Sequence, residues 1–172
     1  VGTVARREEL LHELSARLRS HNFWGPLLAE ILCSRLDSKL HVAIFSEPFL
    51  SFLKAGQKTV DTRLSSVRCA PYGHVSSGDL VLVKENSGPI TAVTRVSDAE
   101  YFATAHHSLD AIRADYGTRI LAGDDFWRSK QYARFASVIH VEQTTEFAPI
   151  EFAKTDRRGW VALDDDQLEF AF

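Results

Sequence analysis

The chain has 172 residues, 45% of them hydrophobic, which is enough to bury one substantial core and fits a single domain with an appendage. A formal net charge of −3 and a sequence pI near 6.2 exclude a polybasic protein that coats nucleic acid by charge alone, so any nucleic-acid contact is local. Cys33 and Cys69 stand far apart in neither a CxxC nor a CxxH arrangement, which argues against a structural zinc site and a disulfide framework and fits a reducing compartment.

Leu10, Leu11, Leu14 and Leu18 recur at helical spacing between Arg and Glu, the pattern of an amphipathic helix. In "NFWGPLLAEILCSRLDS", Pro26 suits a first helical turn and Leu27, Leu28, Ile31, Leu32 and Leu36 mark a second apolar face. Residues 1–38 are therefore expected to form a helical hairpin that packs on the main domain, residues 39–172, or that pairs with a partner through its leucines. "KLHVAIF" reads as a buried strand, and "SEPFLSFLKAG" as a short helix with Ser46 as cap and Gly56 as stop.

Beyond "KTVDTRL" and a turn-rich stretch, "LVLVKE" and "ITAVTRVSDAEYF" predict two strands joined at "NSGP". "HHSLDAIRADYG" predicts a helix ending at Gly117, "GDDFWRSKQYARF" a second short one, and "ASVIHVEQTTEF" and "WVAL" two further strands. Short strands with helices between them predict an α+β fold, a compact β-barrel with short flanking helices capped by the N-terminal hairpin. No run of about 18 apolar residues occurs, and the charged "VARREELLHELSARLRS" lacks the apolar core of a signal peptide. The expectation is a soluble cytoplasmic protein with no membrane partner. Valine at position 1 in a chain without methionine further predicts numbering from downstream of a removed initiator or tag.

In "AGQKTVDTRL", Lys58, Asp61 and Arg63 fall within six residues, directly after a glycine. In a regular strand Asp61 and Arg63 share one face and Lys58 the other, so only a bend or bulge just after Gly56 brings all three together. Read from the residues alone, they are either a working constellation or a surface ion pair.

The apolar anchors of the short helix, then "GQKTVDTR", then Gly78-Asp79 heading a strand resemble the ASCH domain family, with Gly56, Lys58, Thr59, Asp61 and Arg63 matching its motif. The resemblance runs from about His41 to about Leu163 and implies a PUA-like β-barrel that binds RNA or a nucleoside-type ligand without a cofactor or a metal. It also implies, as an alternative, a metal-independent hydrolase: a single-strand ribonuclease or an amidohydrolase of N4-acetylcytidine type. That subfamily uses the motif lysine, a threonine three residues on and a glutamate after the central strands. Here Lys58 matches the lysine, Asp61 stands at the nucleophile position, and Asp115 falls near the glutamate. A carboxylate beside a lysine acts as general base, with Lys58 and Arg63 stabilising negative charge. The same groups suit binding, since Arg and Lys hold phosphate and a carboxylate accepts from a base edge.

Tyr72 and Trp127 are candidate stacking platforms for a base, and core packing is the other reading of each. Glu85, at a strand end, is placed to reach the pocket of Asp61 or to be solvated. Arg157 and Arg158, with Lys154 and Trp160 in "KTDRRGW", suit an RNA backbone or a charged turn. His106 and His107 adjoin a helix start, where they point in different directions and do not share a metal. The acidic end "DDDQLEFAF", with Leu168, Phe170 and Phe172, reads as an edge strand or an interaction tail.

Overall fold

A computed structural model describes residues 3–153 and 157–163. Lys154 and the acidic end with Leu168, Phe170 and Phe172 lie outside the described residues. The elements run α1 (Thr3–Leu18), α2 (Trp24–Leu32), β1 (Leu40–Phe45), α3 (Phe49–Lys54), β2 (Val60–Ser65) and β3 (Leu80–Glu85). There follow β4 (Ile90–Ala103), α4 (Leu109–Ile120), α5 (Asp124–Ser129), β5 (Phe135–Ile150) and β6 (Trp160–Ala162). One sheet in the order β2-β5-β4-β3-β1-β6 curls into a half-barrel with helices against it, an α+β PUA-like fold. Among the described strands only β1 and β3 run parallel, and register shifts along the long β4–β5 ribbon supply the extra twist that curls it.

Strand alternation assigns the two faces. Leu40 and Val42 of β1, with Leu80 and Leu82 of β3, meet the leucine stripe of α1 and Trp24, Leu28 and Ile31 of α2 in one apolar cluster. The intervening Ala43, Phe45, Val81 and Val83 turn to the other face and pack on Leu50 and Leu53 of α3. A third cluster joins β2 and β5 to Ile112 and Ile120 of α4 and Trp127 of α5. Of the two readings of the leucine stripe, packing on the main domain is the one seen: the sheet covers it. No described helix is long and apolar enough to cross a membrane.

Three local expectations are corrected. The second helix ends at Leu32, where Arg35 N–H and Leu36 N–H fold back onto Glu30 O, so Leu36 is 41% exposed and outside the apolar face. Ser46 does not cap α3 through its side chain; Glu47 accepts from the Ser51 N–H and hydroxyl instead. α4 continues through Gly117 to Ile120, because Ile112 and Ile120 are both buried, and Leu121 takes the left-handed conformation that ends it. Its other end is capped by Ser108, whose hydroxyl accepts from Ala111 N–H at 3.1 Å.

Candidate ligand-binding site

Gly56 takes φ +74°, and the N–H groups of Gln57 and Lys58 both donate to Phe52 O, wrapping the chain over the end of α3. Lys58 lies before β2 begins, so the pleat that would turn it away from Asp61 does not govern it. Its side chain runs inward to 3% exposure, where Nζ donates to Val60 O at 2.9 Å and to Ile120 O, at the end of α4, at 2.8 Å. The same Nζ stands 3.7 Å from Asp61 Oδ1.

Asp61, 6% exposed, accepts from Arg63 Nε on its other oxygen at 2.7 Å. Arg63 Nη2 donates to Ile44 O, and Nη1 reaches Gly159 O at 3.4 Å, with the guanidinium over the rings of Phe45 and Trp160. The result is a carboxylate held between two cations. Burial pushes the Lys58 ammonium below the ordinary lysine pKa; Asp61 opposes that shift and Arg63 adds to it.

These three groups line a cavity of about 400 Å³. Aromatic side chains form its walls: Phe49 edge-on to Phe126 at 5.7 Å, Tyr72 edge-on to Phe135 at 5.2 Å, and Trp160. Trp160 is itself fixed from behind. Its indole N–H donates to His41 Nδ1 at 3.1 Å, which places the imidazole proton on Nε2, 2.9 Å from Asp79 Oδ2, and His41 is fully buried.

The remaining candidates are dispersed. Tyr72 lines the cavity, whereas Thr59 is exposed and contributes its backbone, N–H to Arg119 O and C=O to Val141 N–H. Glu85 stands outside the lining, its carboxylate taken by Lys54 and Thr91. Asp115 is exposed on α4, 3.4 Å from His107, and does not line the cavity. Arg157 and Arg158 are exposed beside Gly159, which does line it. Trp127 is core, packed among Ile112, Ile120 and Val138, the second of its two readings. His107 stacks on Phe102 at 4.5 Å.

Among the described residues, Asp98, Glu100 and His140 form the one group whose spacing suits a metal ion, away from the cavity lining. Glu100 already accepts from Tyr116 and faces His140 at 2.7 Å. The sequence reading missed Lys130, Phe49 and Phe126 as site residues. Phe49 reads as a helix anchor and Phe126 only as part of a short helix, and a lysine at a helix end carries no signal that separates it from solvated surface.

The fold is that of solved ASCH structures. The ASCH protein of Zymomonas mobilis superposes with a TM-score of 0.59 over 76% of this chain and 92% of its own, at 11% identity. A tyrosine-to-phenylalanine variant of that protein gives a TM-score of 0.54 at 14% identity, covering 66% of this chain and 76% of its own. A serine-to-alanine variant gives 0.58 at 11% identity, covering 73% and 89%. No protein-family profile matches the sequence, and no curated protein matches it. At these identities the likeness concerns architecture: the chain has an ASCH-like fold.

Proposed function

We propose that the cavity binds RNA or a nucleoside-type ligand, with the base between the aromatic walls and its polar edge on Asp61. The observation that carries this reading is a buried carboxylate clamped between Lys58 and Arg63 on the surface of an aromatic-walled cavity. Such walls stack any base, and a carboxylate accepts from exocyclic amino and ring N–H groups. A cavity of about 400 Å³ falls in the range of small-ligand sites. The ASCH-like fold and the motif match at Gly56, Lys58, Thr59, Asp61 and Arg63 support the same assignment. Two exposed free thiols, Cys33 and Cys69, fit a cytoplasmic setting.

A hydrolase is the second reading, favoured by one observation: the lowered proton affinity of Lys58 beside a carboxylate. Binding ranks first because Lys58 Nζ is committed to two backbone carbonyls and Asp61 to Arg63, while Asp115 stands outside the lining. The test is titration of fluorescent single-stranded RNA and of ribonucleosides into the parent and Asp61→Asn, followed by product analysis with and without EDTA. Binding by the parent, weakened about tenfold in Asp61→Asn, and no product, is the expected result. Product formed by the parent and lost in Asp61→Asn establishes the hydrolase. Equal binding by both proteins removes Asp61 from the site.

A further inference from the structure

Among the described residues, four charged side chains line the cavity: Lys58, Asp61, Arg63 and Lys130. One is acidic and three are basic, so with its lysines protonated the lining carries two net positive charges, in a chain whose formal net charge is −3. Asp61 is already shared by Lys58 and Arg63. Lys130 has no ion pair and no side-chain hydrogen bond among the described residues. It follows α5 one turn after Phe126, so the two share a face, and it is half-buried at the cavity edge. The exposed Arg68 guanidinium lies over the ring of Phe135, a lining residue, at 5.2 Å and likewise has no carboxylate partner among the described residues.

A neutral nucleoside would leave this excess of positive charge unmatched. An anionic group at the edge matches it, and a lysine ammonium is a suitable point charge for a phosphate oxygen. We infer that the cavity is a nucleotide site: it takes a nucleoside carrying a phosphate monoester or diester, with Lys130 as the phosphate contact. This rests on the reading that the cavity binds a nucleoside-type ligand, and narrows it to the charged members of that class.

The experiment compares affinities of the four ribonucleosides, their 5′- and 3′-monophosphates and a short single-stranded RNA for the parent, Lys130→Ala and Lys130→Gln. The expected result is a monophosphate bound about tenfold more tightly than its nucleoside by the parent. Both variants should abolish that advantage and leave nucleoside affinity unchanged. Equal affinity of the parent for nucleoside and monophosphate overturns the inference while leaving the nucleoside reading intact, as does a loss in Lys130→Ala shared by both ligands. Failure of all these ligands to bind removes both readings together. An RNA bound no more tightly than the monophosphate identifies a free nucleotide as the occupant. Tighter RNA binding, with a salt slope reduced by about one in Lys130→Ala, identifies a strand.

Discussion

Between α1–α2 and the sheet the chain buries leucine, valine, isoleucine and Trp24, and even the indole N–H of Trp24 is satisfied, by Gln143 O and Thr145 Oγ. Beside β2 it buries Lys58 and Asp61, with Arg63 half-covered. The two regions are held by different physics. The apolar one gains free energy from every area removed from water and tolerates approximate placement. In the charged one, the desolvation of Lys58 and Asp61 is offset only while each Nζ proton and carboxylate oxygen keeps its partner. The leucine side therefore carries stability, which allows the cavity side to hold groups that folding alone would not select.

Removing Trp24 tests the first half of that contrast with the largest expected effect. Trp24→Ala should cost about 4 kcal/mol in urea unfolding and leave ligand affinity unchanged in whatever fraction stays folded. Lys58→Met should cost about 3 kcal/mol, because it strands Val60 O, Ile120 O and Asp61 without the ammonium. It should also change the pH profile. Burial holds the folded-state pKa of Lys58 below 10.5, so the unfolded chain binds that proton more tightly, and parent stability should rise as pH climbs from the folded pKa towards 10.5. Lys58→Met should flatten that rise. The smallest effect is expected at the far end of the helix whose Ile120 carbonyl Lys58 grips: Ser108→Ala should cost about 1 kcal/mol, read as a shift in urea midpoint with no change in ligand affinity. A Ser108→Ala loss equal to that of Lys58→Met would mean that α4 is held by its cap and not by the lysine.

The leucine side was readable because its residues obey a single period. Leu10, Leu14 and Leu18 mark a helix face whatever covers it, and the alternation of Leu80, Val81, Leu82 and Val83 announces a strand buried on both faces. The charged side was readable only in part. Alternation placed Asp61 and Arg63 together, and their contact follows it. Lys58 joins them because Gly56 turns the chain before the strand starts, an irregularity that residue period does not encode. Lys130 enters the cavity through the placement of α5, a long-range outcome with no local signature. Gly117 misled for a complementary reason: a glycine reads as a stop, but the burial of Ile112 and Ile120 outweighs its roughly 1 kcal/mol penalty in a helix.

The Arg63 contact with Gly159 joins residues 96 apart, and the Trp160 contact with His41 joins residues 119 apart. The walls of the cavity come from four separated stretches of chain, and the last to emerge during synthesis is the three-residue strand β6. Contacts at such separation bear the greatest loop-closure cost and depend on everything already in place. A ligand that spans these walls has nothing to grip in a half-folded chain. It should slow unfolding and leave the folding rate untouched, so that occupancy of the cavity certifies a finished molecule.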